Sequence, residues 1–377
     1  MPLSAQHEMI RDSVRRYARE RLWPYAGQWD RDRTFPREAL DGLGAMGLYG
    51  VAVPEEWGGA GLDSSALALA IEEVAAGDGG AATVIAVNNL VAGILAGYGD
   101  TAQKETYLKP LARGERLAAF ALTEPQVGSD ASAILTRADK QGAHYVLNGV
   151  KQFVTSGKNA DFAVVFALTD KAAGKKGISA FVVPTSTPGW TVARLEDKLG
   201  QRAFDTAQIV LENCAVPAAS LLASEGLGYR IALANLESGR INIAAQAAGI
   251  ARAALGAALE YAKQRSSFGR LLIEHQAIGF RLADMATQLE AARQLTLHAA
   301  ALRDAGQPCL KEASMAKLFA SEMAEQVCSE AIQIHGGYGY VTDFPVERLW
   351  RDARVCKIYE GANDIQRMLI ARALAAR

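Results

Sequence analysis

The sequence predicts a multidomain α+β protein in which helical first and last thirds enclose a strand-rich middle. Three observations carry that reading. At 377 residues the chain exceeds the size at which one hydrophobic core usually stops growing. A hydrophobic fraction of 50% with 21% charged residues suits extensive burial and is wrong for a disordered chain. The residue texture also switches twice, near Thr123 and near residue 229, which sets domains at 1–120, 121–230 and 231–377.

In the first domain, Met9, Ile10, Val14, Tyr17 and Ala18 fall at helical spacing over residues 5–22, and Ser4 is placed to cap the first turn. Ala- and Leu-rich segments over 37–50 and 64–112 continue the helical texture, punctuated by Gly47, Gly58-Gly59 and Gly79-Gly80. Past Thr123, short β-branched and aromatic runs alternate with Gly, Pro and Asn. His144–Leu147 and Val150–Val154 flank Asn148-Gly149, which reads as a hairpin because Asn-Gly tolerates positive φ. Further strands are expected over 161–168, 178–184, 190–195 and 206–216, mostly antiparallel because no helical crossovers separate them. In the last domain Ile243, Ala247, Ile250, Ala254, Ala258 and Tyr261 form one helical stripe. A break at Ser266-Ser267-Phe268-Gly269 precedes a long helix from about Glu274 to Arg303. A third helix, with Met315, Phe319, Met323, Val327 and Ala331 at core spacing, should stop by Gly336-Gly337, and a last one starts near Asn363.

Charge and composition exclude several function classes. Lys and Arg total 40 against 41 Asp and Glu, a net charge of −1, so overall charge attracts neither nucleic acid nor an anionic membrane. No run of 18 or more apolar residues marks a membrane span, and the N-terminal residues carry no signal-peptide pattern. Cys214, Cys309, Cys328 and Cys356 form no CxxC pair, and the five histidines show no HExxH spacing, so no metal site is expected. A reducing, cytoplasmic location is the expectation. Gly42, Gly44 and Gly47 spell GxGxxG, but the preceding Pro36–Asp41 reads as helix rather than strand, so a dinucleotide fingerprint is rejected in favour of a helix end.

Other strings point together. Pro54-Glu55-Glu56-Trp57-Gly58-Gly59, Leu122-Thr123-Glu124-Pro125-Gln126-Val127-Gly128-Ser129-Asp130, Lys151-Gln152-Phe153-Val154-Thr155-Ser156-Gly157 and Tyr359-Glu360-Gly361-Ala362-Asn363 occur in this order. Read singly, the middle two are ordinary Asx or Ser/Thr turns. In this order and spacing, across most of its length, the chain resembles the FAD-dependent acyl-CoA dehydrogenase family. The resemblance implies a barrel-like antiparallel middle domain, a C-terminal four-helix bundle, and a homotetramer built as a dimer of dimers. It implies that Leu122, Thr123, Ser129, Phe153 and Thr155 hold the flavin: Thr123 at the pyrimidine side, Ser129 near the pyrophosphate, Phe153 bordering the ring and Thr155 donating towards N5. By the same resemblance Arg265, Ser267, Phe268 and Gln276 reach the flavin of a neighbouring subunit, and Gln333, Gly336 and Gly337 contact a pyrophosphate. Arg265 could equally make a surface salt bridge, and the glycines could simply end a helix.

Glu360 is then the base that removes the α proton of an acyl-CoA thioester while the β hydrogen leaves as hydride to flavin N5. By the same resemblance Ser129, Arg240, Tyr359 and Gly361 border the substrate, and the Glu360 backbone N–H is expected to help hold the thioester carbonyl. Some relatives carry the base on the earlier helix, where this chain has Gly239, which cannot abstract a proton; neighbouring Glu237 is the backup base but should face elsewhere. Phe204 stands where Ser is frequent in the family, and Ala362 where Thr is, so neither hydroxyl role carries over. Residues 82–94 and 233–239 are expected to shape the acyl cavity, with a saturated short or medium acyl-CoA as substrate and an electron-transfer flavoprotein as acceptor. An acyl-CoA oxidase, a desulfinase-like eliminase and a non-catalytic flavin scaffold are the alternatives.

Overall fold

A computed structural model of the chain describes residues 3–376. The first helix, α1 (Ala5–Tyr17), starts where Ser4 Oγ accepts from His7 N, and a π turn over Ala18–Leu22 leads directly into α2 (Trp23–Asp32). The expected 5–22 helix therefore continues further, until Arg33 adopts φ 54°. Next, α3 (Arg37–Ala45) contains Gly42 and Gly44. A Cβ at Gly42 would lie 2.0 Å from the Tyr17 hydroxyl, and one at Gly44 would lie 2.9 Å from Gly114 Cα. Two of the three GxGxxG glycines thus serve helix packing, as their helical context predicts.

Carboxylate caps start the two central helices. Asp63 accepts from Ala66 N at the head of α4 (Ser64–Gly77), and Asp78 accepts from Gly80 N and Ala81 N at the head of α5 (Gly79–Tyr98). By length and hydropathy α5 could cross a membrane, but 83% of its apolar window is buried. Short α6 (Thr101–Gln103) and α7 (Lys109–Ala112) close the helical third.

The middle is a seven-stranded sheet in the order β1-β4-β2-β3-β7-β6, with β5 on β4. The strands are β1 (Ala118–Ala121), β2 (Arg137–Gln141), β3 (His144–Thr155), β4 (Phe162–Leu168), β5 (Ile178–Pro184), β6 (Trp190–Leu195) and β7 (Thr206–Pro217). Pairing is mostly antiparallel, but β1 runs parallel to β4, and β2 touches β4 in parallel through Arg137 and Leu168. The Asn148-Gly149 hairpin does not form. Both residues lie inside one continuous β3, at a register shift opposite β7, where Asn148 Oδ1 accepts from Asn213 N. Gly149 is needed there for close approach, since a Cβ would sit 2.4 Å from Thr136 Oγ1. The actual turn lies between β2 and β3, around Gly142 with φ 61°.

A long α8 (Gly228–Gln264), α9 (Gln276–Asp304), α10 (Leu310–His335) and α12 (Asn363–Ala375) form the C-terminal bundle, with α11 (Val346–Arg354) beside it. Between α8 and α9 the expected break is a small hairpin of β8 (Ser266–Ser267) and β9 (Arg270–Leu271). Gly249 lets α8 approach α4, because a Cβ would lie 2.2 Å from Glu72 O. Of the expected α10 stripe, Met323, Val327 and Ala331 are buried, Met315 is half-buried and Phe319 is exposed; the buried face also takes in Ala313, Ala316, Ala320 and Ala324, small residues that let the helices pack closely, and Lys317. A continuous apolar core links all three regions.

Candidate active site

The segment between α11 and α12 reverses through two successive left-handed residues, Glu360 at φ 52° and Gly361 at φ 87°. Such a conformation is unfavourable for glutamate and persists only where its surroundings over-determine it. Gly361 O accepts from Lys317 Nζ at 2.8 Å and from Gln366 Nε2 at 2.8 Å. The turn aims the carboxyl group of Glu360 at α8, where a Cβ on Gly239 would lie only 2.5 Å from Oε2. Glu360 as a residue is partly open, but Oε2 is enclosed and has no hydrogen-bond partner among the described residues. Nearby Arg240 is 5% exposed, and its Nε and Nη1 are also unpartnered. Burial raises the Glu360 carboxyl to about 7, against the opposing pull of Arg240 and Lys317. The arrangement can therefore hold or release a proton near neutrality.

Tyr359 is anchored beside it. Its hydroxyl donates to Gln246 Oε1 at 2.5 Å; Gln246 Nε2 donates to Gly79 O and, at 2.7 Å, to Thr83 Oγ1. Thr83 in turn donates to Gln201 Oε1 at 2.7 Å, and Gln201 N donates to Asp352. Glu237 points away: it accepts from Cys309 Sγ at 3.1 Å and faces Arg303, consistent with its expected orientation. Phe204 is 3% exposed, meets Phe35 edge-on and covers Gly80, so the residue in the place of the family's serine is a core side chain.

The sheet supplies a second group. Lys151, fully buried, pairs with Glu124 at 2.8 Å and donates to Leu122 O at 3.1 Å; Glu124 also accepts from Leu135 N and Thr136 N. Burial brings Lys151 down to about 8. It would push Glu124 up, but Lys151 and the added hydrogen bonds hold that carboxyl below its usual range. This pair fixes the chain around Thr123, whose carbonyl accepts from Gln152 N at 2.8 Å. Phe153 breaks the strand pattern at φ 55° and is 63% exposed, while beyond Thr155 the buried Ser156 Oγ has no partner. Ser129 is exposed next to Gly128, where a Cβ would meet open space. An uncovered aromatic ring, an orphaned hydroxyl and unobstructed backbone fit a flat polar cofactor such as a flavin.

The remaining predicted residues gather at the ends of α8, α9 and α10. Arg265 lies over the Tyr338 ring at 5.6 Å, which sets the β8–β9 hairpin beside the turn containing Gly336 and Gly337. His275 bonds Ser267 O at 3.0 Å just before Gln276 opens α9. Phe268 is 96% exposed, Gln333 is exposed, and among the described residues a Cβ built on Gly336 or Gly337 would meet nothing within 4 Å beyond its own chain neighbours. A cleft of about 280 Å³ is lined by Trp23, Asp30, Arg202 and Arg351 among others, with Arg351 already held by Asp30 and Glu347. Sequence reasoning missed Lys151, Gln246 and Lys317. The available signal was a lysine at Ala spacing in α10 and another at the head of the Gln152-Phe153 string.

Family models described as acyl-CoA dehydrogenase N-terminal, middle and C-terminal domains match residues 4–115, 119–214 and 226–375. The chain is 48% identical over 375 residues to an acyl-CoA dehydrogenase of Bacillus subtilis, covering 99% of each chain. It is 47% identical to the human mitochondrial short-chain specific acyl-CoA dehydrogenase, covering 98% of this chain and 90% of that one. Among solved structures, butyryl-CoA dehydrogenase from Megasphaera elsdenii superposes with a TM-score of 0.97 at 42% identity, covering 100% and 99% of the two chains.

Proposed function

The chain belongs to the acyl-CoA dehydrogenase family and is an FAD-dependent oxidoreductase; on that premise we propose that it desaturates a short or medium acyl-CoA thioester with Glu360 as base. The observation that carries the assignment is the enclosed, unpartnered Oε2 of Glu360, on a carboxyl group raised to about 7. A carboxylate in that range can take the α proton at neutral pH and keep it out of water. FAD, when bound, supplies the two-electron acceptor for the β hydrogen. Leu122, Thr123, Ser129, Phe153 and Thr155 would hold it against the sheet, while Arg240, Tyr359 and Gly361 border the acyl group. The short-chain preference is supported by the names of the human and Megasphaera relatives.

Glu360→Gln should keep flavin and acyl-CoA binding while anaerobic flavin bleaching by butyryl-CoA slows at least about 100-fold. Near-normal bleaching would overturn the assignment. Rapid reoxidation by oxygen, or sulfite release from a sulfinated substrate, would instead mark an oxidase or an eliminase. We further assign the electrons to an electron-transfer flavoprotein and the oligomer to a tetramer. The tetramer is supported by the exposed Arg265, Phe268, Gln276, Gln333, Gly336 and Gly337, which together suit a neighbour's cofactor. Light scattering at the mass of a single chain would refute it.

A further inference from the structure

Lys317 is completely buried in α10, yet neither of its acceptors, Gly361 O at 2.8 Å and Asn363 Oδ1 at 2.9 Å, is a carboxylate. Burying an ammonium without an anionic contact is costly, and a clamp on a carbonyl alone requires no charge. Burial brings Lys317 down to about 8. The acidic groups whose charge acts on it are Cys356 and Glu360; burial pushes the Cys356 thiol up to about 12, so Glu360, the residue next to Gly361, is the group that gains from the cation. From α8 the facing charges are Arg240 and Glu237, the latter engaged by Cys309 and Arg303; α5 contributes apolar Leu90. Tyr359, from the same turn as Glu360, is held neutral by burial.

We propose that Lys317 is the positioning residue of the catalytic base: through Gly361 O it locks the left-handed turn, and its ammonium favours the Glu360 carboxylate that accepts the proton. This inference rests on the assignment of Glu360 as base. A residue that merely fills the core would affect melting; one that acts through Glu360 must also move the pH dependence of the reaction.

The test is anaerobic flavin bleaching of the holoenzyme by butyryl-CoA from pH 5.5 to 9.5, with wild type, Glu360→Gln, Lys317→Met and Asn363→Asp compared. Lys317→Met should lower the limiting rate at least about tenfold with half-saturation changed less than about threefold, and shift the rising limb up by about half a pH unit or more. Asn363→Asp keeps the lysine but pairs it with an anion, so it should shift the limb in the same direction with a smaller loss of rate. A flavin-replete Lys317→Met enzyme with wild-type limb and rate would overturn the proposal. Should that variant fail to fold, an unshifted limb in Asn363→Asp would overturn it equally. Normal bleaching by Glu360→Gln would instead sink the base assignment, so the two failures are distinct.

Discussion

Gly239→Ala adds one methyl group to α8 at a point where the structure gives it almost no room. The new Cβ would stand 2.5 Å from Glu360 Oε2 and 3.2 Å from Cδ, while ordinary contact begins at 3.4 Å, so the carboxylate must retreat by about 0.9 Å. The other close neighbour, Leu90 Cδ1 at 3.6 Å, is at normal contact and need not move. Folding should not suffer, because the displaced atom ends a flexible side chain and replacing glycine inside a helix gains roughly 0.5–1 kcal/mol. Catalysis should suffer, since misplacing a reacting group by about 1 Å costs up to about 100-fold. Stopped-flow flavin bleaching by butyryl-CoA should therefore slow by about 10- to 100-fold while the melting temperature holds or rises by about 1–2 °C. A variant that reacts at the wild-type rate would show that Glu360 does not work from its place against Gly239.

Wild-type flavin bleaching should rise with pH through about 7, because burial raises the Glu360 carboxyl to that value and only the carboxylate accepts a proton; a flat rate from pH 5.5 to 9 would exclude Glu360. The same raised carboxyl makes folded protein bind its proton more tightly than the unfolded chain, so its contribution to stability is full below about 4.5 and lost as pH rises through about 7. The melting advantage of Glu360→Gln should accordingly grow from pH 5 to pH 8. Lys151→Met leaves Glu124 buried without its cation, a loss of about 3–5 kcal/mol; the melting temperature and flavin retention on gel filtration should both fall.

What was legible in the sequence was what short-range chemistry determines. Ser4, the break at Ser266–Gly269 and the stop at Gly336 all behave as their local preferences dictate. The strand Ala118–Ala121 was not legible, because four small or aromatic residues carry no alternation and its parallel partner β4 lies forty residues on. Nor was β2, whose Arg137–Gln141 is almost wholly polar and exposed and is a strand only because β3 pairs with it. Asn148-Gly149 misled for the opposite reason: a strong turn signal was overridden by pairing on both sides of β3. At the site, Glu360 could be named from its string, but the residues that aim it could not. Lys317 and Gly239 reach it from helices distant in the chain, and only packing brings them together.

The buried chain from Tyr359 through Gln246, Thr83 and Gln201 to Asp352 draws on every third of the molecule. Chimeras that exchange the middle third for a relative's would have to import a glutamine at 201 with it. Without one, the Thr83 hydroxyl would lose the amide oxygen it donates to inside the seam, so the natural joints between domains are not free points for recombination.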